Sequence, residues 1–313
     1  MASSTRRARR GGGRRSGGRG SRGPGRAARW RESAGTVAVV ADEVGFARMR
    51  RYPTFAHADH AGYLRDTEDL LRSLARRHGH TSVALFDPAD FAEFCGQEGL
   101  DQDSAASRAR YTAEIAARGA TVPYEGQPLG TLVPALLAER RRQETWERAG
   151  DLLAGSGSCA DCGAPLVRCA FQRAASLLTR VLERTGPGTH HMVASLLTGA
   201  GALTAALHAD TAAGGGIRLA EADALVLCTV LAAGLATDDP GGLVLRSSPG
   251  ETGEWPEQVC GWSLRGGRLH ALTEGEVFTA YCTDALTGEP VPPEPDVVYR
   301  AAPTIARPAC PET

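Results

Sequence analysis

The amino-acid sequence predicts an α/β protein, in which a small parallel-sheet α/β domain is followed by a helical segment with a candidate zinc knuckle and a C-terminal β-hairpin/helix region. Short apolar segments alternate with helical patterns over residues 35–155, as in strand–helix–strand units. Residues 156–240 begin with a C-x-x-C-G motif and continue as Ala- and Leu-rich helical patterns. Residues 241–313 change to strand patterns and end in a Pro-rich tail. With 42% hydrophobic residues, the 313-residue chain can form two modest cores.

The predicted parallel sheet depends on three apolar segments that helices separate. The strands are TVAVV (36–40), TSVALF (81–86) and ATVPY (120–124), and the helices are 60–78, 87–96, 104–118 and 131–153. Asp87 can cap the second of these helices, Pro88 suits its first position, and Gly96 can end it. Strands separated by helices usually pair in parallel through right-handed crossovers. We therefore expect a parallel sheet.

The second half of the chain is predicted to be helical first and β-structured later. The helices are 168–184, 190–209 and 219–236, with glycine-containing corners at 186–188 and 214–216. Strand patterns follow in GLVLRSS (242–248), QVCGWSL (258–264) and RLHAL (268–272). The last two flank the turn sequence RGG, which indicates a hairpin. TEGE (273–276) is a capping box that predicts one more helix.

Residues 1–34 form an Arg- and Gly-rich tail that we expect to be disordered in isolation. Residues 1–31 contain 11 arginines and no acidic residue, whereas the remainder has 24 arginines against 36 acidic residues. The arginines from Arg6 to Arg31 are candidates for sequence-independent contact with nucleic acid. Alternatives are docking onto the acidic remainder, an acidic protein partner, or no function. Met49 is an alternative position for the start of translation.

The chain has no pattern typical of export or of a membrane span. Paired arginines precede TVAVV, but this apolar run is shorter than the roughly 7–15 residues of an export signal. The apolar stretches 192–207 and 222–236 fall short of the roughly 18 apolar residues of a membrane span. We therefore expect a cytoplasmic protein with no membrane partner. In a reducing compartment, paired cysteines indicate metal binding or packing before disulfides.

The segment SGSCADCGAPLVRC contains three of the eight cysteines and predicts a structural zinc site. Cys159 and Cys162 are separated by two residues and followed by a glycine, the spacing with which two thiolates face one ion across a tight turn. Cys169, at the start of the next helix, is the candidate third ligand. Two alternatives remain open: a loop without an ion, with Cys169 facing the core, and a redox pair.

The fourth predicted ligand is His208. The helix that starts near Cys169 rises about 1.5 Å per residue, so its far end lies more than roughly 20 Å from the cysteines. His190 and His191 follow that far end and are therefore too distant. If residues 190–209 form the antiparallel return helix, His208 comes back to the level of Cys169.

Three acidic residues follow the three predicted strands and are candidate catalytic residues. Asp42, Asp87 and Glu125 would meet at the carboxyl edge of a parallel sheet, where carboxylates can hold Mg²⁺ for phosphoryl chemistry. Each also has a structural explanation, because Asp87 can cap a helix and Glu125 lies in a turn.

These features favour an intracellular, non-enzymatic binding protein that contacts nucleic acid through its Arg/Gly tail. One alternative is a metal-dependent phosphoester hydrolase or nuclease that uses the strand-end carboxylates. Another is an adaptor that binds a protein partner. No G-x-S-x-G turn and no phosphate-binding glycine loop is present, so the sequence leaves open whether the protein is an enzyme.

Overall fold

The computed structural model describes residues 35–77, 80–249, 255–284 and 287–310. The predicted tail, residues 1–34, lies outside them. The chain divides into two compact units, Met1–Leu132 and Val133–Thr313. Both units combine helices and sheets, so the predicted mixed α/β class is confirmed. Strands from residues 156–240 and from residues 241–313 lie in the second unit and pair in one sheet.

The first unit contains a three-stranded sheet and four helices in the described residues. Its elements are β1 (Thr36–Val39), α1 (Glu43–Met49), α2 (His60–Arg77), β2 (Ser82–Leu85), α3 (Pro88–Glu98), α4 (Ala105–Arg118) and β3 (Thr121–Pro123). The strand order is β1-β2-β3. Aromatic side chains of the helices pack over the sheet, and the Tyr63 hydroxyl accepts the N–H of Val40 at 3.0 Å.

The prediction of a wholly parallel sheet is wrong at β3. Strands β1 and β2 are parallel, but β2 and β3 are antiparallel, with Ser82 opposite Pro123 and Ala84 opposite Thr121. Two helices of similar length, α3 and α4, connect β2 to β3. The second of them returns the chain to the edge where β2 ends, so β3 runs in the opposite direction.

The second unit is built around a seven-stranded sheet. Its elements are α5 (Leu129–Ala154, which begins in the first unit), α6 (Leu166–Thr185), β4 (Gly188–Thr198), β5 (Gly201–Thr211), β6 (Ile217–Leu219), α7 (Glu221–Thr237), β7 (Gly241–Ser248), β8 (Glu257–Arg265), β9 (Arg268–Ala271), α8 (Glu274–Tyr281) and β10 (Val297–Tyr299). The strand order is β10-β8-β7-β4-β5-β6, and β9 pairs with β8. All pairs are antiparallel except β10 with β8.

The predicted helix 190–209 is wrong, because these residues form most of the β4–β5 hairpin. Buried residues alternate with more exposed ones along both strands, which is the period of two of a half-buried strand. The buried side is made by Met192, Ala194, Leu196, Leu203, Ala205 and Leu207. The high alanine content resembles that of a helix, but the alternation and the glycines at the turn determine the hairpin.

Helix α7 lies at the centre of the second unit. Its residues 226–234 are all buried, so it is apolar around its whole circumference. It packs against α6 and against the buried face of the sheet. An added Cβ at Gly234 would lie 2.4 Å from Leu264 and 2.8 Å from Leu196, so a glycine allows this close approach. None of the helices in the described residues combines the length and apolar character that a membrane span requires.

We expect Leu231→Ala to lower the free energy of unfolding by about 2–5 kcal/mol, because it leaves a cavity in a fully packed core. Leu231 is 1% exposed, whereas Leu225 on the same helix is 44% exposed. The matched variant Leu225→Ala should change the free energy of unfolding by no more than about 0.5 kcal/mol. Urea denaturation followed by circular dichroism measures both, and equal losses would contradict the placement of α7.

Candidate metal centre

The C-x-x-C-G motif forms a tight hairpin between α5 and α6. The N–H of Gly163 donates to the carbonyl of Cys159 at 2.8 Å, and the N–H of Cys159 donates to the carbonyl of Ala164 at 2.8 Å. The N–H of Leu166 closes the hairpin on the carbonyl of Gly157, also at 2.8 Å. Gly157 and Gly163 have φ of +72° and +73°, a left-handed conformation that favours glycine. The hairpin therefore presents Cys159 and Cys162 from one turn.

The third cysteine lies on the first turn of α6. Pro165 precedes this helix, and Cys169 is its fourth residue, so its side chain faces back toward the hairpin. Cys169 is fully buried, and its Sγ lies 3.2 Å from the Sγ of Cys162.

The fourth cysteine comes from the end of the described chain. After β10 the chain is extended and packs on the core, with Ala302 and Ile305 buried. Its carbonyls accept hydrogen bonds from the Trp262 indole at Pro303, at 2.8 Å, and from Arg180 at Ala306, at 2.9 Å. This path brings the Sγ of Cys310 to 3.7 Å from the Sγ of Cys159.

The four sulfur atoms form a group, called here the four-cysteine cluster, that could bind a metal ion. The Sγ atoms of Cys159, Cys162, Cys169 and Cys310 all lie within 4.8 Å of one another. A tetrahedral ion with metal–sulfur bonds of about 2.3 Å separates its sulfur ligands by about 3.8 Å. The two closest contacts, 3.2 and 3.7 Å, are far longer than the roughly 2.05 Å of a disulfide. The arrangement fits a metal site and not a pair of disulfides.

Three of the thiols, those of Cys159, Cys169 and Cys310, have shifted pKa values. The backbone N–H of Asp161, the largest influence, lowers the pKa of Cys159 to about 6, and the N–H of Cys162 acts in the same direction. The neighbouring Cys162 thiol and burial raise the pKa of Cys169 to about 12, and burial raises the pKa of Cys310. Crowded thiols resist joint ionisation because their negative charges repel. A bound cation removes this opposition, since metal-bound thiols are deprotonated.

An ion-pair network of Arg173, Asp161 and Arg307 lies next to the four-cysteine cluster. An Nη of Arg173 donates to Asp161 Oδ2 at 2.6 Å and to the Sγ of Cys310 at 2.9 Å. Arg307 donates to the same Asp161 oxygen at 2.8 Å. Arg173 is 8% exposed, and it lowers the pKa of Asp161. The network joins the hairpin, α6 and the C-terminal segment, and its cations offset the charge of thiolates.

The predicted ligand His208 is not brought to the cysteines. It lies on β5 opposite His191 of β4, and the two rings stack with centroids 4.3 Å apart. The prediction fails because it required a return helix, whereas residues 190–209 form strands. Among the described residues, the side chains that could hold a metal ion are the three predicted cysteines and Cys310, which takes the place of His208.

The predicted carboxylate site of Asp42, Asp87 and Glu125 is also not assembled. Asp42 caps α1 by accepting the N–H of Gly45 at 2.6 Å, and Asp87 caps α3 by accepting the N–H of Ala89 at 2.8 Å. Glu125 follows β3, whose last residue, Pro123, lies opposite Ser82 at the start of β2. Asp87 follows the other end of β2. The length of β2, about 10 Å, separates these two edges. Because β3 is antiparallel, the three carboxylates cannot share one Mg²⁺ with its bonds of about 2 Å.

Comparisons with known proteins bear on the first third of the chain. Residues 24–127 are similar to a family described as a domain of unknown function (DUF8829). No curated protein and no solved structure matches the chain. The similar region precedes all four residues of the four-cysteine cluster, so what is said of the cluster depends on its own geometry.

We expect Asp161→Asn to lower the midpoint of thermal denaturation by a few degrees. The change removes the carboxylate shared by Arg173 and Arg307 and leaves the buried Arg173 without that partner. The matched variant is Asp151→Asn on α5, where the carboxylate is exposed. Differential scanning calorimetry compares the two. Equal shifts would contradict a role of Asp161 in joining the three segments.

Proposed function

We propose that this chain is a non-enzymatic binding protein in which a structural zinc ion stabilises the second unit and the Arg/Gly-rich N-terminal segment contacts nucleic acid. The observation that carries the zinc proposal is the convergence of Cys159, Cys162, Cys169 and Cys310. The nucleic-acid proposal rests on the 11 arginines of residues 1–31, where no acidic residue occurs.

Zinc is the ion that suits this donor set best. Thiolates are soft ligands, and a tetrahedral set of four sulfur atoms selects zinc or iron over calcium and magnesium. A C-x-x-C-G hairpin that supplies two of the ligands is typical of structural zinc sites. The wide range of thiol acidity also favours a divalent cation, because the ion must stabilise thiolates that would otherwise stay protonated.

The site supports a structural role for the ion. Catalytic zinc sites use three protein ligands and keep a fourth position for water or substrate, whereas four cysteines close the coordination sphere. The ligands come from segments far apart in the sequence, since all the strands of the second unit's sheet lie between Cys169 and Cys310. Metal binding in such a site contributes directly to folding, because the unfolded chain has no preformed site.

We expect the purified chain to contain about one zinc ion and Cys310→Ser to lose it or hold it far more weakly. Removal of a ligand should cost more than the roughly 10–100-fold in affinity that loss of an outer hydrogen-bond partner costs. Metal analysis and a competition titration with a chelator measure content and affinity.

Two variants serve as controls for the zinc measurement. Cys260→Ser alters a cysteine with intermediate exposure, like that of Cys310, and it should keep the zinc. His208→Ala should also keep it, because His208 stacks on His191. Full zinc content with unchanged affinity in Cys310→Ser would refute the proposal, and iron in place of zinc would refute the choice of ion.

The charge distribution favours the N-terminal segment as the part that contacts nucleic acid. Arginine is always charged, its guanidinium forks match phosphate oxygens, and interleaved glycines keep the segment adaptable. The rest of the chain carries 24 arginines against 36 acidic residues, so on average it repels a polyanion. Contact through this segment would be independent of sequence and strongly dependent on salt.

We expect the chain to bind duplex DNA of arbitrary sequence at low salt and to lose that binding when residues 1–34 are deleted. If six or more arginines contact phosphates, affinity should fall by about 1,000-fold between 50 and 200 mM salt. Fluorescence anisotropy measures both effects. Replacing the arginines between Arg6 and Arg31 with glutamine, at constant length, should have the effect of the deletion. Unchanged affinity after deletion would refute this part of the proposal and favour an adaptor for a protein partner.

A further inference from the structure

A cavity of about 190 Å³ lies beside the four-cysteine cluster in the second unit. Its walls come from α6, the end of α7, the turn and strand of β9, and the extended C-terminal segment. Three arginines, Arg173, Arg268 and Arg307, line it together with His270. The opposite lining is apolar and includes Leu177, Leu235, Leu269 and Ile305.

The cavity has an excess of positive charge. Arg173 and Arg307 share a single oxygen of Asp161, and the charge of Arg268 also acts on that carboxylate. Within the described residues, the guanidinium of Arg268 has no carboxylate within ion-pair distance. The residues that line the cavity therefore include three permanent cations and no carboxylate. Asp161 pairs with Arg173 and Arg307, which leaves Arg268 to interact with an anionic group in the cavity.

Arg173, which lines the cavity, also has one hydrogen-bond donor that no described contact uses. This side chain is 8% exposed, and among the described residues its buried Nε has no hydrogen-bond partner. A buried donor without an acceptor is costly, so such groups in folded proteins usually have a ligand or water partner.

We propose that this cavity binds a small phosphate monoester with a short apolar substituent. A phosphate monoester carries close to two negative charges at pH 7 and has three strong acceptor oxygens. These oxygens can accept hydrogen bonds from the three guanidinium groups that line the cavity, whose forks suit phosphate. The apolar lining accommodates the substituent. The volume exceeds the roughly 150 Å³ of a cavity that holds benzene, so a ligand of this size fits.

The site is distinct from the two sites of the proposed function. The phosphate would contact arginine side chains and no cysteine, and the arginines belong to the described second unit and not to the N-terminal segment. The volume of the cavity admits a small molecule, whereas a nucleic-acid duplex is far too wide to enter it.

Isothermal titration calorimetry on the full chain tests the proposal with propyl phosphate, inorganic phosphate and succinate as probes. Propyl phosphate should bind several-fold more tightly than inorganic phosphate, because only it fills the apolar part of the cavity. Arg268→Gln should weaken binding about tenfold or more, since it removes a charge-assisted hydrogen bond. Arg300→Gln removes an exposed arginine outside the cavity and should leave binding unchanged. The N-terminal arginines are present in all samples, so the difference between the two variants isolates the cavity.

Three results would overturn the proposal. They are absence of propyl phosphate binding at millimolar concentration, equal losses in Arg268→Gln and Arg300→Gln, and tighter binding of succinate than of propyl phosphate. Zinc content is measured in the same samples. Full zinc without phosphate binding refutes the cavity proposal alone, and phosphate binding without zinc refutes the zinc proposal alone.

Discussion

The convergence of four sulfur atoms from three separate segments is the constraint on which the site depends. Without a cation, Cys159, Cys162, Cys169 and Cys310 form a crowded group whose thiolates repel one another and whose pKa values diverge in both directions. A divalent cation would bind these thiolates as ligands, and their attraction to the ion would outweigh their repulsion of one another. The four-cysteine cluster brings the start of α6 next to the end of the C-terminal segment.

The C-terminal segment owes its path to specific contacts with the core. Directly after β10, the N–H groups of Arg300 and Ala302 donate to the carbonyls of Val259 and Leu272. Further along, carbonyls of the segment accept hydrogen bonds from the Trp262 indole and the Arg180 guanidinium. Arg173 connects the four-cysteine cluster to the adjacent cavity, because it contacts Asp161 and Cys310 and also lines the cavity. The metal site and the cavity therefore share a positioning residue but have different ligands.

The sequence predicted local features well and long-range ones poorly. The hairpin cysteines, Cys169 and the N-caps of α3 and α8 depend on residues a few positions apart, and these predictions agree with the geometry. The predicted end of α3 at Gly96 is wrong, because the helix continues to Glu98 and Gly99 caps it. The prediction of His208 is wrong because high alanine content favours a helix, whereas residues 190–209 alternate between apolar and smaller or polar side chains and form strands. Cys310 lies in a Pro-rich segment with no periodic pattern, so nothing local indicates that it returns to the hairpin. Likewise, the carboxylates could be placed at one edge only if β3 were parallel.

The coordination sphere itself gives the most direct test of the account. X-ray absorption at the zinc edge on the purified chain counts the sulfur and nitrogen ligands and measures their distances. We expect four sulfur atoms at about 2.3 Å and no nitrogen ligand. A first coordination sphere of three sulfur atoms and one nitrogen at about 2.0 Å would contradict the assignment of Cys310 and reinstate a histidine, and a sphere of oxygen ligands would contradict the site altogether.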